Sequence, residues 1–475
     1  MARTILTCAW RAAWISPRLR CKVAQVDMPR QNQWAAPAVR SASHRYIAGL
    51  LLCGYAVAFI DRGLVGVASA PITHDLALSD TQYGLLNGPA FVALFCLCAV
   101  PLGWLADRIQ RGKLIAAGML FWSLMTAGCA LGHSFAAIFL TRVGVGLGEA
   151  CLLPAGVSLL VSVTPPQYLA RSIAVFLVGA TLGNAIALLA GGEILTAIGT
   201  NLHSLAGFGP TTPWRVLFLL ASVPGIILAP LFATLREPPR SHTSGLGRPL
   251  ESLRDALSLL GEKRAAYGFL TASTACIVLL SQTQAAWVPL FYVRAFGLTP
   301  GESAMTVGLL FLVSAPAGQW LGGVLIDHLH SRGSAAAPHI AQAACSILCI
   351  PAAWVFCTAS QIGCSEAAYA TFNLLVFAAT PAGLTGWQAL TPERSRGLVI
   401  ALLVATVTLI GVGLGPVIVG FLNDRVLKDE GALGVSLLVV NLGAALAAIM
   451  TAVPGALAFS RATRACSTRA EPTQC

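Results

Sequence analysis

Charge is what this sequence has least of. Only 10% of its 475 residues are Asp, Glu, Lys or Arg, against 56% hydrophobic residues, and its mean hydropathy is +0.76. Soluble globular chains carry about 25% charged residues, so an ordinary water-soluble domain is excluded. No GxxxxGK[ST] phosphate loop occurs, which leaves an ATP-driven pump unsupported. The fourteen cysteines and eight histidines form neither a disulfide framework nor a zinc-ligand pattern. Cys96 and Cys98 point to different helix faces with no His or acidic cluster beside them, so no metal or organic cofactor is expected. No nucleophile and base stand at useful spacing, which argues against an enzyme. Cysteines such as Cys53, Cys129, Cys276 and Cys345 lie inside apolar runs, where a free thiol behaves as a small hydrophobe.

Apolar runs of about 20 residues are abundant, each enough to cross ~30 Å of hydrocarbon as a helix. Twelve are legible, at 46–70, 83–106, 114–132, 135–162, 170–198, 214–234, 266–292, 301–326, 336–358, 367–389, 397–422 and 433–459. The expected fold class is therefore an all-α polytopic membrane protein. Its net charge of +11 collects on one side: the odd-to-even connections carry almost no Lys or Arg, whereas Arg108, Arg111, Lys113, Arg171, Arg236, Arg254, Arg394 and Arg461 occupy the other loops and the tails. The positive-inside rule then places both termini in the cytoplasm. The excess charge reports topology and contact with anionic membrane lipids, and a nucleic-acid partner is not expected.

Two six-helix halves echo each other. "LSDTQ" before the second run and "LTPGE" before the eighth both have capping-box spacing, Ser79 with Gln82 and Thr299 with Glu302. At the ends of the same runs, "GWLADRIQRGK" with Gly103 and Asp107 corresponds to "GVLIDHLHSRG" with Gly323 and Asp327. A weaker echo joins Thr164-Pro165 and Arg171 to Thr391-Pro392 and Arg396. The expected organisation is a basic segment at 1–45, a first half at 46–234, a linker at 235–265, a second half at 266–459 and a tail at 460–475. Met28 offers a later start, so an over-extended start and a targeting or regulatory tail are both open for the first residues. In the linker, Leu250, Leu253, Leu257 and Leu260 share a face, which fits an amphipathic helix on the membrane surface, with a plain tether as the alternative.

The few charges inside runs carry the functional argument. Asp61 and Arg62 interrupt the first run, and "FLTRVGVGLGEACLLP" in the fourth carries Arg142 and Glu149. Seven residues apart, the latter two share a helix face at a separation of about 10 Å. An acidic residue at a helix centre costs about 2.5–3.5 kcal/mol on insertion scales, so each requires a partner, a water-filled cavity or a role. Two readings stand: buried pairs that neutralise one another, or carboxyls that exchange protons while an arginine holds an anion. The proton is then the expected coupling ion. Gln282, Gln284, Trp287, Asn373 and Gln388 are candidates for lining a cavity or for bonding neighbouring helices. "GVGLGE" and "GVGLGP" lie within apolar helices and read as close-packing small residues rather than phosphate loops.

The chain resembles the major facilitator superfamily. "GWLADRIQRGK" is similar to its loop motif between the second and third helices, and the resemblance implies a cytoplasmic gate formed with Asp107, Arg108, Arg111 and Lys113. It also implies proton coupling through Arg142 of "TRVGVGLGEA". The combination of "DR" in the first helix, "LSDTQYGLL", "REPPR" and "GVGLGPVIVGFLND" resembles the spinster-like branch. That likeness implies Asp61, Arg62 and Glu149 as coupling and substrate-gating residues. Gly112 and His328 depart from basic positions of the loop motif. The expected protein is a multi-pass transporter of the bacterial inner membrane, functional as a monomer. It would move a small organic anion or lipid-like solute by alternating access, with an uncoupled facilitator or lysolipid-type exporter as the alternative.

Overall fold

The computed structural model describes residues 41–106, 108–201, 212–235, 237, 249–392 and 396–469. No strand occurs among them. Among the described residues, twelve helices are long and apolar enough to cross a membrane: His44–Val67, Asp80–Ala99, Arg111–Leu131, Phe135–Val163, Gln167–Ala197, Pro213–Ala233, Arg264–Phe296, Pro300–Ser331, Ala337–Thr358, Ile362–Leu390, Leu398–Leu427 and Leu433–Thr463. They are called the first to twelfth spans below. If each crosses once, the start of the first span and the end of the twelfth share one face, the terminal face, and the opposite ends form the distal face.

In the first half the third span packs on the fourth and sixth and the second on the fourth, while the seventh to twelfth spans pack largely on one another. Leu51, Ile115, Trp122, Leu159 and Phe232 centre the first group, while Ile277, Phe372, Val376 and Ala448 belong to the second. A further core crosses between the groups near the distal face, where Leu64, Val65, Tyr83, Trp287, Tyr292 and Val419 meet. Across that boundary the second span packs on the eleventh and the fifth on the eighth.

Both expected capping boxes form. The Ser79 and Thr299 hydroxyls accept from the backbone N–H of Gln82 and Glu302, whose side chains return to the capping residues. Several boundaries differ from the hydropathy reading. The first helix stops at Val67 and a separate helix, Ser69–Asp75, follows. The eleventh span continues past residue 422 through a π-helical turn, Leu422–Leu427, ending at Lys428 with φ 53°. The amphipathic helix Pro249–Glu262 turns at Lys263 into the seventh span. It rests on protein, with Ala256, Leu259 and Leu260 packed among Tyr267, Val399, Leu403 and Phe459.

Two spans are interrupted. The second breaks at Gly88, just before Pro89. The fourth divides into Phe135–Glu149 and Leu152–Val163. Pro154 has no N–H for the carbonyl four residues earlier, at Ala150, which opens the helix directly after Glu149. The Cys151 thiol donates to the Gly148 carbonyl at 3.2 Å and satisfies part of the opened turn.

Candidate functional site

The four charges singled out in the first and fourth spans come together, with a pairing that adjacency in sequence does not suggest. The Arg62 guanidinium reaches across to Glu149, with Nε and Nη2 each 2.7 Å from Oε2. Asp61, next to it in the chain, points to the other side of the helix and is completely buried. One Asp61 oxygen accepts from the Thr126 hydroxyl of the third span at 3.2 Å, and its Oδ1 has no hydrogen-bond partner. Arg142, 1% exposed, donates through Nη1 to the backbone carbonyl of Asp61 at 3.3 Å rather than to its carboxylate. Glu149 Oε1 and Arg142 Nε also lack hydrogen-bond partners.

This arrangement follows from helix geometry. Consecutive residues diverge by roughly 100° around a helix of ~3.6 residues per turn, so Asp61 and Arg62 cannot serve the same neighbour. Arg142 and Glu149, two turns apart on one face, both look toward the first span.

Arg62 is the member open to a ligand, with 23% of its side chain exposed while Glu149 is fully buried. Its guanidinium carbon lies 4.6 Å from the Phe59 ring centre, 4.5 Å from Phe91 and 5.1 Å from Phe95. Phe91 and Phe95 stack at 5.2 Å, and Tyr55 extends the aromatic wall through Phe59 at 4.9 Å and Phe176 at 4.7 Å. A cation held over aromatic faces keeps its charge available to an anion. Sequence reasoning missed Thr126 and this wall, although Phe59 lies three residues from Arg62 and Phe91 and Phe95 stand at helical spacing.

The cavity candidates separate. Gln284 is buried and donates to Asn441 of the twelfth span at 2.8 Å. Trp287 donates to the Pro416 carbonyl at 3.0 Å, and Asn373 donates to Ser314 at 2.7 Å. These three bond neighbouring helices and line no open space in this conformation, because burial leaves at most 2% of each accessible. Gln282 is partly exposed and Gln388 exposed.

All but one of the residues expected at the terminal-face gate fall among the described residues. Asp107 lies outside the described residues. Gly103 stands opposite Pro154 of the fourth span, and Arg108 stacks on Trp104 at 3.5 Å. Arg111 lies 4.0 Å from Glu237, whose Oε1 accepts from Gly112 N at 2.7 Å. A carboxylate from the start of the linker thus caps the N-terminus of the third span. Gly112 has a steric reason: a Cβ there would stand 2.6 Å from the Phe232 carbonyl. Lys113, Arg171 and Asp327 are exposed, and Arg396 donates to the Thr391 carbonyl at 3.4 Å.

Among the described residues, twelve apolar helices in two groups, one of them broken directly after buried Glu149, point to a membrane transporter. Comparison with known proteins agrees. The sequence profile described as Major Facilitator Superfamily matches residues 51–416. An MFS-type efflux pump of Mycolicibacterium smegmatis is 26% identical over 375 residues, covering 79% of this chain and 83% of that protein. The sphingosine-1-phosphate transporter of Mus musculus is 24% identical over 254 residues, covering 52% of this chain and 44% of that one. The crystal structure of a bacterial homologue of the human lysosomal transporter Spinster, inward-facing and unoccupied, superposes with a TM-score of 0.73 at 26% identity. That match covers 90% of this chain and 98% of the other. The chain belongs to the Major Facilitator Superfamily, and within it is spinster-like.

Proposed function

We propose that this transporter is proton-coupled and carries an anionic amphipathic solute, with Arg62 as the anion site and Glu149 and Asp61 as the carboxyls that exchange protons. The observation that carries the reading is the Arg62–Glu149 bond beside Phe59, Phe91 and Phe95. One guanidinium can satisfy either Glu149 or an incoming anion, and a proton on Glu149 decides the competition in favour of the solute. The three rings offer an apolar surface for whatever hydrocarbon the anion carries.

Asp61 is the second carboxyl. Its side chain is bonded to Thr126, while the nearby Arg142 is engaged by the Asp61 backbone. A buried carboxyl held in this way can gain or lose a proton without breaking an ion pair. Rocking of the two six-span groups about this site supplies alternating access. One similarity supports the solute class: the relative from Mus musculus is named for a phosphorylated amphiphile, sphingosine-1-phosphate.

The test is transport in proteoliposomes against a panel of organic anions and lysolipids, with Asp61→Asn and Glu149→Gln beside the unsubstituted protein. Both variants should lose accumulation driven by a pH gradient while retaining exchange down a solute gradient. Full gradient-driven accumulation by Asp61→Asn rules out Asp61 as a proton carrier. Accumulation by the unsubstituted protein that survives collapse of the gradient with a protonophore favours the uncoupled facilitator.

A further inference from the structure

Two motifs singled out in the sequence, "LSDTQ" at 78–82 and the "ND" that ends "GVGLGPVIVGFLND", play no part in the charged site. They meet at the distal face. Asp80 begins the second span, in the first half, and lies 3% exposed. Arg294, near the end of the seventh span, clamps it with Nη1 to Oδ2 and Nη2 to Oδ1, each at 2.7 Å. Asn423 of the eleventh span adds a third bond to Asp80 at 2.6 Å, and the Ser436 hydroxyl fixes Asn423 from the twelfth span at 3.1 Å.

A second carboxylate crosses in the opposite direction. Asp424 accepts from the backbone N–H groups of Asp80 at 3.2 Å and Thr81 at 2.7 Å. The second half therefore takes up the first two N–H groups of a helix in the first, beyond those closed by its own capping box, where the helix dipole favours negative charge. The π-helical turn Leu422–Leu427 makes this possible: its wider turn turns both Asn423 and Asp424 toward the second span. The backbones come close enough that a Cβ on Gly420 would overlap the Asp80 carbonyl. Next to this polar patch, the Tyr83 hydroxyl donates to the Ala286 carbonyl across the same boundary at 2.7 Å.

We infer that Asp80, Arg294, Asn423 and Asp424 form a distal latch that holds this face shut and must open as one unit when the site turns outward. Every bond in the set that joins the two halves breaks when they separate at this face. The fork of Arg294 and the trans cap of Asp424 both engage Asp80, the cap extending to its neighbour Thr81, so loosening one displaces the other. These are positioning residues: they contact no solute and set the balance between the two orientations. The inference rests on the alternating access proposed above, and its test reads no solute and no proton gradient, so the two can fail separately.

The test places one reporter cysteine on each face and reads membrane-impermeant maleimide labelling at the peptide that carries it. Val288→Cys reports the distal face, where Val288 is fully buried. Ala401→Cys reports the terminal side: Ala401 is exposed and one turn from Ala405, whose carbonyl receives the Cys96 thiol across the boundary. Asp80→Asn or Arg294→Gln should raise labelling at position 288 about tenfold, ~1.4 kcal/mol per tenfold step, with a matching fall at position 401. Asp424→Asn should raise it about two- to fivefold, the range a charge at a helix terminus supports. The swap Asp80→Arg with Arg294→Asp should return both reporters toward the unsubstituted rates, which a misfolded variant would not do. Unchanged labelling at position 288 in all variants overturns the latch. A rise at 288 without the fall at 401 overturns it too, because the contacts would then be local packing.

Discussion

The Arg62–Glu149 pair makes an asymmetric prediction. Glu149 is fully buried, whereas Arg62 is 23% exposed and rests against three phenylalanine rings. Arg62→Met removes the partner of a carboxylate that is fully buried in this structure. Breaking a buried pair from that side costs about 3–5 kcal/mol. Glu149→Leu leaves an arginine that keeps part of its hydration and its ring contacts, so the loss should be nearer ~1–2 kcal/mol. Combining the two replaces the pair with apolar side chains of similar volume, and should restore stability to within about 1 kcal/mol of the starting protein. Unfolding of the four proteins in detergent, followed at one fixed scan rate, ranks them. The double variant should still transport nothing, which separates the pair's role in function from its role in folding. Equal losses in the two single variants, or a double variant as unstable as Arg62→Met, would refute this account of the pair.

Two further outcomes follow from single contacts. Thr126→Val removes the hydroxyl that holds the Asp61 carboxyl while keeping the volume nearly constant, so the pH profile of transport should move while the amount of protein in the membrane stays the same; an unmoved profile detaches Asp61 from coupling. Gly112→Ala forces a Cβ against the Phe232 carbonyl at 2.6 Å and should cost about 1–3 kcal/mol as overpacking does, seen as a lower unfolding temperature that Glu237→Gln partly reproduces by removing the neighbouring cap.

Much of the architecture was legible because hydropathy is a local property. A run of about 20 apolar residues can satisfy its backbone in hydrocarbon only as a helix, so the spans and their doubling could be read from composition and spacing. The capping boxes at Ser79 and Thr299 were legible for the same reason, each being closed within four residues. Helix ends were harder. The break after Glu149 needs Pro154, and the π turn at Leu422–Leu427 is held by contacts with the second span, about 340 residues away in sequence.

The sequence alone also determined that charge inside the spans must have a reason, and it singled out Asp61, Arg62, Arg142 and Glu149 from their cost in hydrocarbon. It did not determine who pairs with whom. Asp61 and Arg62 are neighbours in the chain yet face different helices, so the partner of each was decided by how the first, third and fourth spans pack. The same holds for Gln284, Trp287 and Asn373, polar residues whose bonds to other helices became visible only when those helices were in place. It holds most strongly for Asp80 and Asp424, which sequence reading left without a role until the fold brings opposite halves of the chain to one face. Burial cost is a property of a residue and its run, whereas the partner that offsets that cost is a property of the packed bundle.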